Sequence, residues 1–347
     1  MNRIVSFDFL RIFLAIVIVF YHAEIVDCRL FKSGYLAVEC FFILSGYLLA
    51  SSFFKHTVEV KNVEQKFGEA VYRRFCRLYP EYIFVTFLSL ICFSSFIQEK
   101  PWHDLGYNLI MFGHLGTSYN IVPGSWFVGA LFWGSFIYLI ILSFCGRKTL
   151  VMFAPLIFIG STVLAYHNSL NTLGGANYPL WGFISLGILR ALAGLSCGLF
   201  VYFLATNKVF VSRIKMLQQK LLLGVVVFLF FTTIYLFLRK DSLVAFNIYF
   251  AFTPIVLYLA IYSNWGSKVF GYSVVKKISD TTYMLFLTNI LTLNILSKIS
   301  YLKEVTISIR MPIMLLCCFG MAYICNYSQR WFFKKLNGLL IANIPGR

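Results

Sequence analysis

The chain has 347 residues, of which 60% are hydrophobic and only 12% are charged. That balance excludes an ordinary soluble domain and fits a polytopic membrane protein. The formal net charge of +17 does not point to nucleic acid as a partner. The cations sit in short loops between apolar runs, where they set topology and meet anionic membrane lipids.

Ten apolar runs can be drawn, at 4–22, 35–54, 79–97, 124–145, 150–167, 181–205, 221–238, 244–263, 279–297 and 311–328. Each is near the ~20 residues that a bilayer requires. The expected fold is therefore all-α, a single membrane domain over residues 1–347 with about ten transmembrane helices. With both termini in the cytoplasm, the inner segments hold 20 Lys and Arg and the outer ones 8, the asymmetry of a positive-inside protein. The first run makes a poor cleavable signal, because Asp8 and Arg11 interrupt it. Segment 98–123 is weakly apolar and reads as an outer loop or a re-entrant element. The nine Cys lie mostly within apolar runs and form no C-x-x-C, so they read as small buried hydrophobes. His56, His103, His114 and His167 lack metal-ligand spacing, and no metal is expected.

The first run, DFLRIFLAIVIVFYH, carries chemistry. Arg11 and His22 are eleven residues apart, about 20° beyond three helical turns, so they share a face about 16 Å apart along the axis. Asp8 sits three residues before Arg11, within i,i+3 reach. Ionisable groups inside a span face protein or a wet cavity and mark function. This helix reads as one wall of a reaction channel.

The second run opens with GYLAVECFFILSGYLL. Glu39 lies at a depth close to that of His22 and is placed to orient it as a base, or else to pair with Arg190 of the sixth run. Ser45 and Gly46 lie near mid-membrane, where small residues admit close helix approach; Ser45 as a nucleophile is the alternative. Ahead of the third run, VYRRFCRLYPEY gathers Arg73, Arg74 and Arg77 at the cytoplasmic mouth. There they suit phosphate recognition, or serve as a positive-inside stop. Arg190 reads as a structural ion pair or a substrate contact. Trp126 reads as an interfacial anchor or a sugar-stacking platform, and Asp280 with Ser279 as an N-cap.

These motifs resemble the acyltransferase 3 family of integral membrane acyltransferases. Arg11-x10-His22 is similar to its R-x10-H signature, GYLAVECFFILSG to its second motif, and YRRFCRLYPEY to its third. PGSWFV at 123–128, LRALAGLSCGL at 189–199 and ISDTTYMLFLTN at 278–289 extend the likeness over nearly the whole chain. Two departures stand out. Asn289 occupies a position where many members have His, and Gly129, Ala130 and Leu131 follow Trp126 where many carry a Glu.

The resemblance implies transfer of an acyl group, usually acetyl, from cytoplasmic acetyl-CoA to a hydroxyl, often on a cell-surface or lipid-linked glycan. The usual setting is a bacterial cytoplasmic (inner) membrane. On that reading His22 is the general base and Glu39 its helper. Arg11, Arg73, Arg74 and Arg77 hold the donor's phosphates, and Asp8, Ser45, Trp126 and Arg190 line the channel. Direct attack is preferred over an acyl-His intermediate. The rival class is a transporter or flippase for a glycan or lipid-linked intermediate, disfavoured by the missing inverted repeats.

Overall fold

A computed structural model describes residues 4–56, 62–92, 101–113, 120–168, 173, 179–180, 184–239, 245–262, 272–299, 301 and 304–342. Among the described residues, each of the ten expected spans overlaps a helix. The order is α1 (Val5–His22), α2 (Ala37–His56), α3 (Val63–Cys92), α4 (Pro101–Leu109), α5 (Trp126–Cys145), α6 (Ala154–Asn168), α7 (Leu186–Thr206), α8 (Lys208–Met216), α9 (Gln219–Leu238), α10 (Asn247–Ile261), α11 (Tyr272–Ser297) and α12 (Ile307–Ala342). A π-helical turn, Thr149–Phe153, leads into α6. The β structure among the described residues is a two-residue antiparallel ladder joining Pro179–Leu180 to Ile184–Ser185.

Among the described residues, seven helical segments are long and apolar enough to cross a bilayer. Of the remaining expected spans, α10 is apolar but shorter, while α3 and α11 carry charges in their first halves. Both of these begin earlier than the apolar pattern predicts, at Val63 and Tyr272. In α3 the added turns are water-compatible helix: Glu64 sits in the first turn, complementing the helix dipole, and Glu69 pairs with Arg73 at 3.1 Å in i,i+4 register. Pro80, expected at the start of a span, lies inside this continuous helix.

Helix α4 packs beside α3. Asn108 is fully buried; its side-chain oxygen accepts from Tyr82 Oη at 3.2 Å and from the Ile121 N–H at 3.1 Å. Tyr82 lies ten residues back from the described end of α3 at Cys92, about 15 Å along the axis. Protein groups thus satisfy irregular backbone at depth, the condition a re-entrant element must meet. Residues 93–100 and 114–119, with His114, lie outside the described residues, as do the termini 1–3 and 343–347.

The tightest seam joins α2 to α7. A Cβ on Gly46 would strike the Leu195 backbone, one on Gly198 the Ile43 carbonyl, and one on Gly194 the Phe42 side chain. Small residues let the two backbones touch, as membrane helix packing favours. The small residue that serves packing is therefore Gly46, while Ser45 faces elsewhere. By contrast α9 buries only Thr233, Leu236 and Phe237 and turns most of its surface outward. The short basic helix α8 buries nothing.

Candidate active site

Helical periodicity brings four stripes together around one cavity of about 290 Å³. Helix α3 contributes Arg74, Arg77, Leu78 and Glu81; α11 contributes Ser279, Thr282, Tyr283 and Phe286. Both follow the i, i+3, i+4, i+7 spacing of a single helix face. Helix α2 adds Phe41, Ser45 and Leu48, and α5 adds Phe127 and Leu131. Arg11 of α1 and Arg330 of α12 complete the walls. The early part of α1 and the later part of α12 therefore sit at the same end of the bundle.

The cavity is cationic. Arg11, Arg74, Arg77 and Arg330 face it against the carboxylates of Glu81 and Asp280. The Nε and Nη2 atoms of Arg74 and Oε2 of Glu81 are buried and make no hydrogen bond within the protein. Burial pushes the Arg74 guanidinium down, to about 9, with Arg77 and Arg11 adding to the push and Tyr283 opposing it. It stays protonated at neutral pH, so this end of the cavity is short of negative charge. Arg11 is held by Asp8 at 3.3 Å, the i,i+3 contact read from the sequence. Asp8, 1% exposed, also accepts from Ser279 Oγ at 3.0 Å. Tyr283 Oη donates to the Leu78 carbonyl at 3.0 Å and pins α11 to α3.

Arg73 does not line the cavity. It points along the other side of α3, to Glu69. The i,i+4 spacing would put Arg73 and Arg77 on one face, whereas the cavity selects the face of Arg74, Arg77 and Glu81.

Above the guanidinium groups the cavity stops at an aromatic layer. The Phe127 ring lies 4.8 Å from Phe286 and 6.1 Å from Phe41, centroid to centroid. One turn further along α11, Asn289 meets His22: His22 Nδ1 and Asn289 Oδ1 are 2.8 Å apart. His22 is half-buried at the end of α1. The stripe predicted from Arg11 to His22 is thus present but interrupted. Arg11 lies within the cavity and His22 beyond the phenylalanines.

The expected contact between His22 and Glu39 is not formed. Glu39, fully buried, accepts from Arg190 Nε at 2.6 Å and from Tyr249 Oη at 2.5 Å. Arg190 Nη2 stands 2.5 Å from the same carboxylate. Arg190 itself is 1% exposed and lies over the Trp126 ring at 4.8 Å and near that of Tyr35 at 5.9 Å. A carboxylate sealed from water needs a cation and full hydrogen bonding. Arg190 supplies the cation and one hydrogen bond and Tyr249 the other, where a neutral imidazole would supply less. Arg190 thus stacks on one face of the half-buried Trp126 ring.

Sequence reasoning missed Glu81, Arg330, Tyr249 and Tyr283. Glu81 carried a signal, at i+4 from Arg77 and i+7 from Arg74. Arg330 was absorbed into the basic tail, and Tyr249 is one aromatic residue in an apolar run. Among the described residues no group of His, Cys, Asp and Glu could hold a metal ion.

A family model described as an acyltransferase domain matches residues 4–328. No curated protein and no solved structure matches the chain.

Proposed function

The chain belongs to the acyltransferase 3 family, and from that premise we propose that it is a membrane O-acetyltransferase drawing on acetyl-CoA. The acceptor is a hydroxyl of a cell-surface or lipid-linked glycan. The observation that carries this reading is the cationic cavity, with its unpartnered Arg74 donors, aligned below the His22–Asn289 pair. Guanidinium forks suit phosphate oxygens, and CoA presents several. At about 290 Å³ the cavity is the size of a small ligand pocket, so it takes part of the donor, the diphosphate and the start of the pantetheine arm.

Arg11, Arg74, Arg77 and Arg330 hold the anionic end, with Arg73 an outlying cation at the mouth. Ser45 lines the path of the arm and is not a nucleophile. The thioester passes the Phe41–Phe127–Phe286 layer, which parts to admit it, and comes to rest beside His22. Hydroxyl pKa values lie far above 7, so attack needs a base. His22 takes the acceptor's proton as its oxygen bonds to the thioester carbon. The C–S bond then breaks, and the same imidazole returns the proton to the departing sulfur. Glu39 and Arg190 act as the buried brace between α2 and α7. The Arg-bearing end faces the cytoplasm, following the charge asymmetry of the loops.

The test is mass spectrometry of surface glycans from cells carrying the wild-type protein or His22→Ala. The wild type adds an acetyl mass; the variant, equally abundant in membranes, adds none. Full acetylation by His22→Ala would remove the mechanism. A flippase would leave glycan masses unchanged in both.

A further inference from the structure

We infer that Asn289 is a positioning residue that fixes which nitrogen of His22 receives the proton, locking the ring as its Nδ1–H tautomer with Nε2 as the base. This rests on the reading above and deepens it. The geometry is carried by three hydrogen bonds around one amide. Asn289 Nδ2 donates to the Leu285 carbonyl at 3.2 Å and to the Phe286 carbonyl at 2.6 Å, both on its own helix. Those bonds use both of its N–H groups. Reversing the amide would set its oxygen against two carbonyl oxygens and turn its N–H groups toward the imidazole. The orientation is therefore set by α11 itself, and Asn289 is fully buried, so bulk water cannot compete for it.

With the amide fixed, Oδ1 is the atom presented to His22 at 2.8 Å. An amide oxygen only accepts, so His22 Nδ1 must carry hydrogen, and the lone pair is left on Nε2. Because the partner is neutral, it orients the ring without adding a charge. A carboxylate would orient it equally well and also stabilise the imidazolium. The amide cannot take a proton from Nδ1, so the ring gains and gives up its proton at Nε2. Phe286 couples the two halves of the site: its ring closes the cavity and its carbonyl holds the amide.

The other groups around the ring are few. Tyr21 of α1 lies 5.1 Å away, centroid to centroid, and Tyr35, from the turn Gly34–Leu36, packs on Tyr21. Arg29, in the connection between α1 and α2, acts on His22 electrostatically. Arg29 is paired with Glu24 at 2.5 Å and sits over the Tyr21 ring. Helix α11 meets the imidazole with the neutral Asn289.

The experiment uses membranes from cells carrying the full chain, with transfer of label from acetyl-CoA into the glycan fraction measured against pH. Asn289→Leu lowers kcat by about tenfold or more, toward the 10²–10⁴-fold that a positioned base supplies, with KM for acetyl-CoA unchanged. Asn289→Asp, nearly the same shape, keeps an oxygen on Nδ1 and adds a charge, at the cost of the two bonds that Nδ2 gives the Leu285 and Phe286 carbonyls. It retains activity, and the acid limb of its kcat profile moves up by about one pH unit or more. A side chain packed out of reach of Nδ1 would leave that limb in place. Wild-type kcat in Asn289→Leu, or an unmoved limb in Asn289→Asp, overturns the inference. If Asn289→Leu fails to fold, the Asp variant decides alone. His22→Ala run beside them separates the two readings: activity there defeats the base assignment, whereas a dead His22→Ala beside a fully active Asn289→Leu defeats only the tautomer lock.

Discussion

Replacing Glu39 by Leu should unfold the protein more readily rather than retune its chemistry. The carboxylate is fully buried and takes three contacts of 2.5–2.6 Å from Arg190 and Tyr249. Removing one member of a buried pair leaves the other charge uncompensated, at a cost of about 3–5 kcal/mol. The orphaned Tyr249 hydroxyl contributes about 1–3 kcal/mol of that penalty. The double variant Glu39→Leu with Arg190→Leu removes both charges, so it should recover a large part of the loss. The assay is thermal unfolding of detergent-purified protein, read by size-exclusion chromatography after heating, for the wild type, both single variants and the double. In the surviving folded fraction of Glu39→Leu, the pH profile of acetyl transfer should match the wild type. A loss below about 1 kcal/mol, or a normal melting curve with a displaced pH profile, would show that Glu39 serves His22 after all.

Two further outcomes follow from the cavity. Arg74→Gln should raise the Kd for CoA by about tenfold or more, since a charge-assisted hydrogen bond is worth about 1.5–3 kcal/mol. Arg73→Gln, whose guanidinium is paired with Glu69 and does not line the cavity, should change the Kd by less than about threefold, as expected of a partly exposed ion pair. Calorimetric titration with CoA distinguishes them, and equal losses would refute the division of the arginine cluster. Phe286→Leu thins the aromatic layer. It should raise release of free CoA from acetyl-CoA in the absence of acceptor, measured with a thiol reagent, and an unchanged rate would mean that the layer does not separate the two halves.

The helices were legible because a bilayer leaves the chain little choice: each crossing must be a long apolar run. Where crossing and water-exposed helix are continuous, hydropathy marks only the crossing, so α3 and α11 begin before their apolar runs. Periodicity gave the Asp8–Arg11 contact, which is local, and it put Arg11 and His22 on one face. It could not choose between Arg73 and Arg74, because both sides of α3 are polar there and only the neighbouring helices decide which side faces inward. Nor could it settle the partner of Glu39. Arg190 stands 151 positions away, and depth in the membrane is compatible with several partners. Asn289 entered only as a departure from a pattern. Its amide is held by two carbonyls of its own helix, a detail that residue identity does not convey.

The glycine seam between α2 and α7 has a mechanical corollary. Where backbone rests on backbone there is no rotamer to swing, so these two rods slide or separate only by breaking contact altogether, and the Glu39–Arg190 clasp resists that. They form a fixed jaw. Phe41, Ser45 and Leu48 belong to it and keep their places. On the proposed route of the thioester, any widening falls to the opposite jaw, where α11 is tied to α3 through a tyrosine hydroxyl and meets Phe127 through the ring of Phe286.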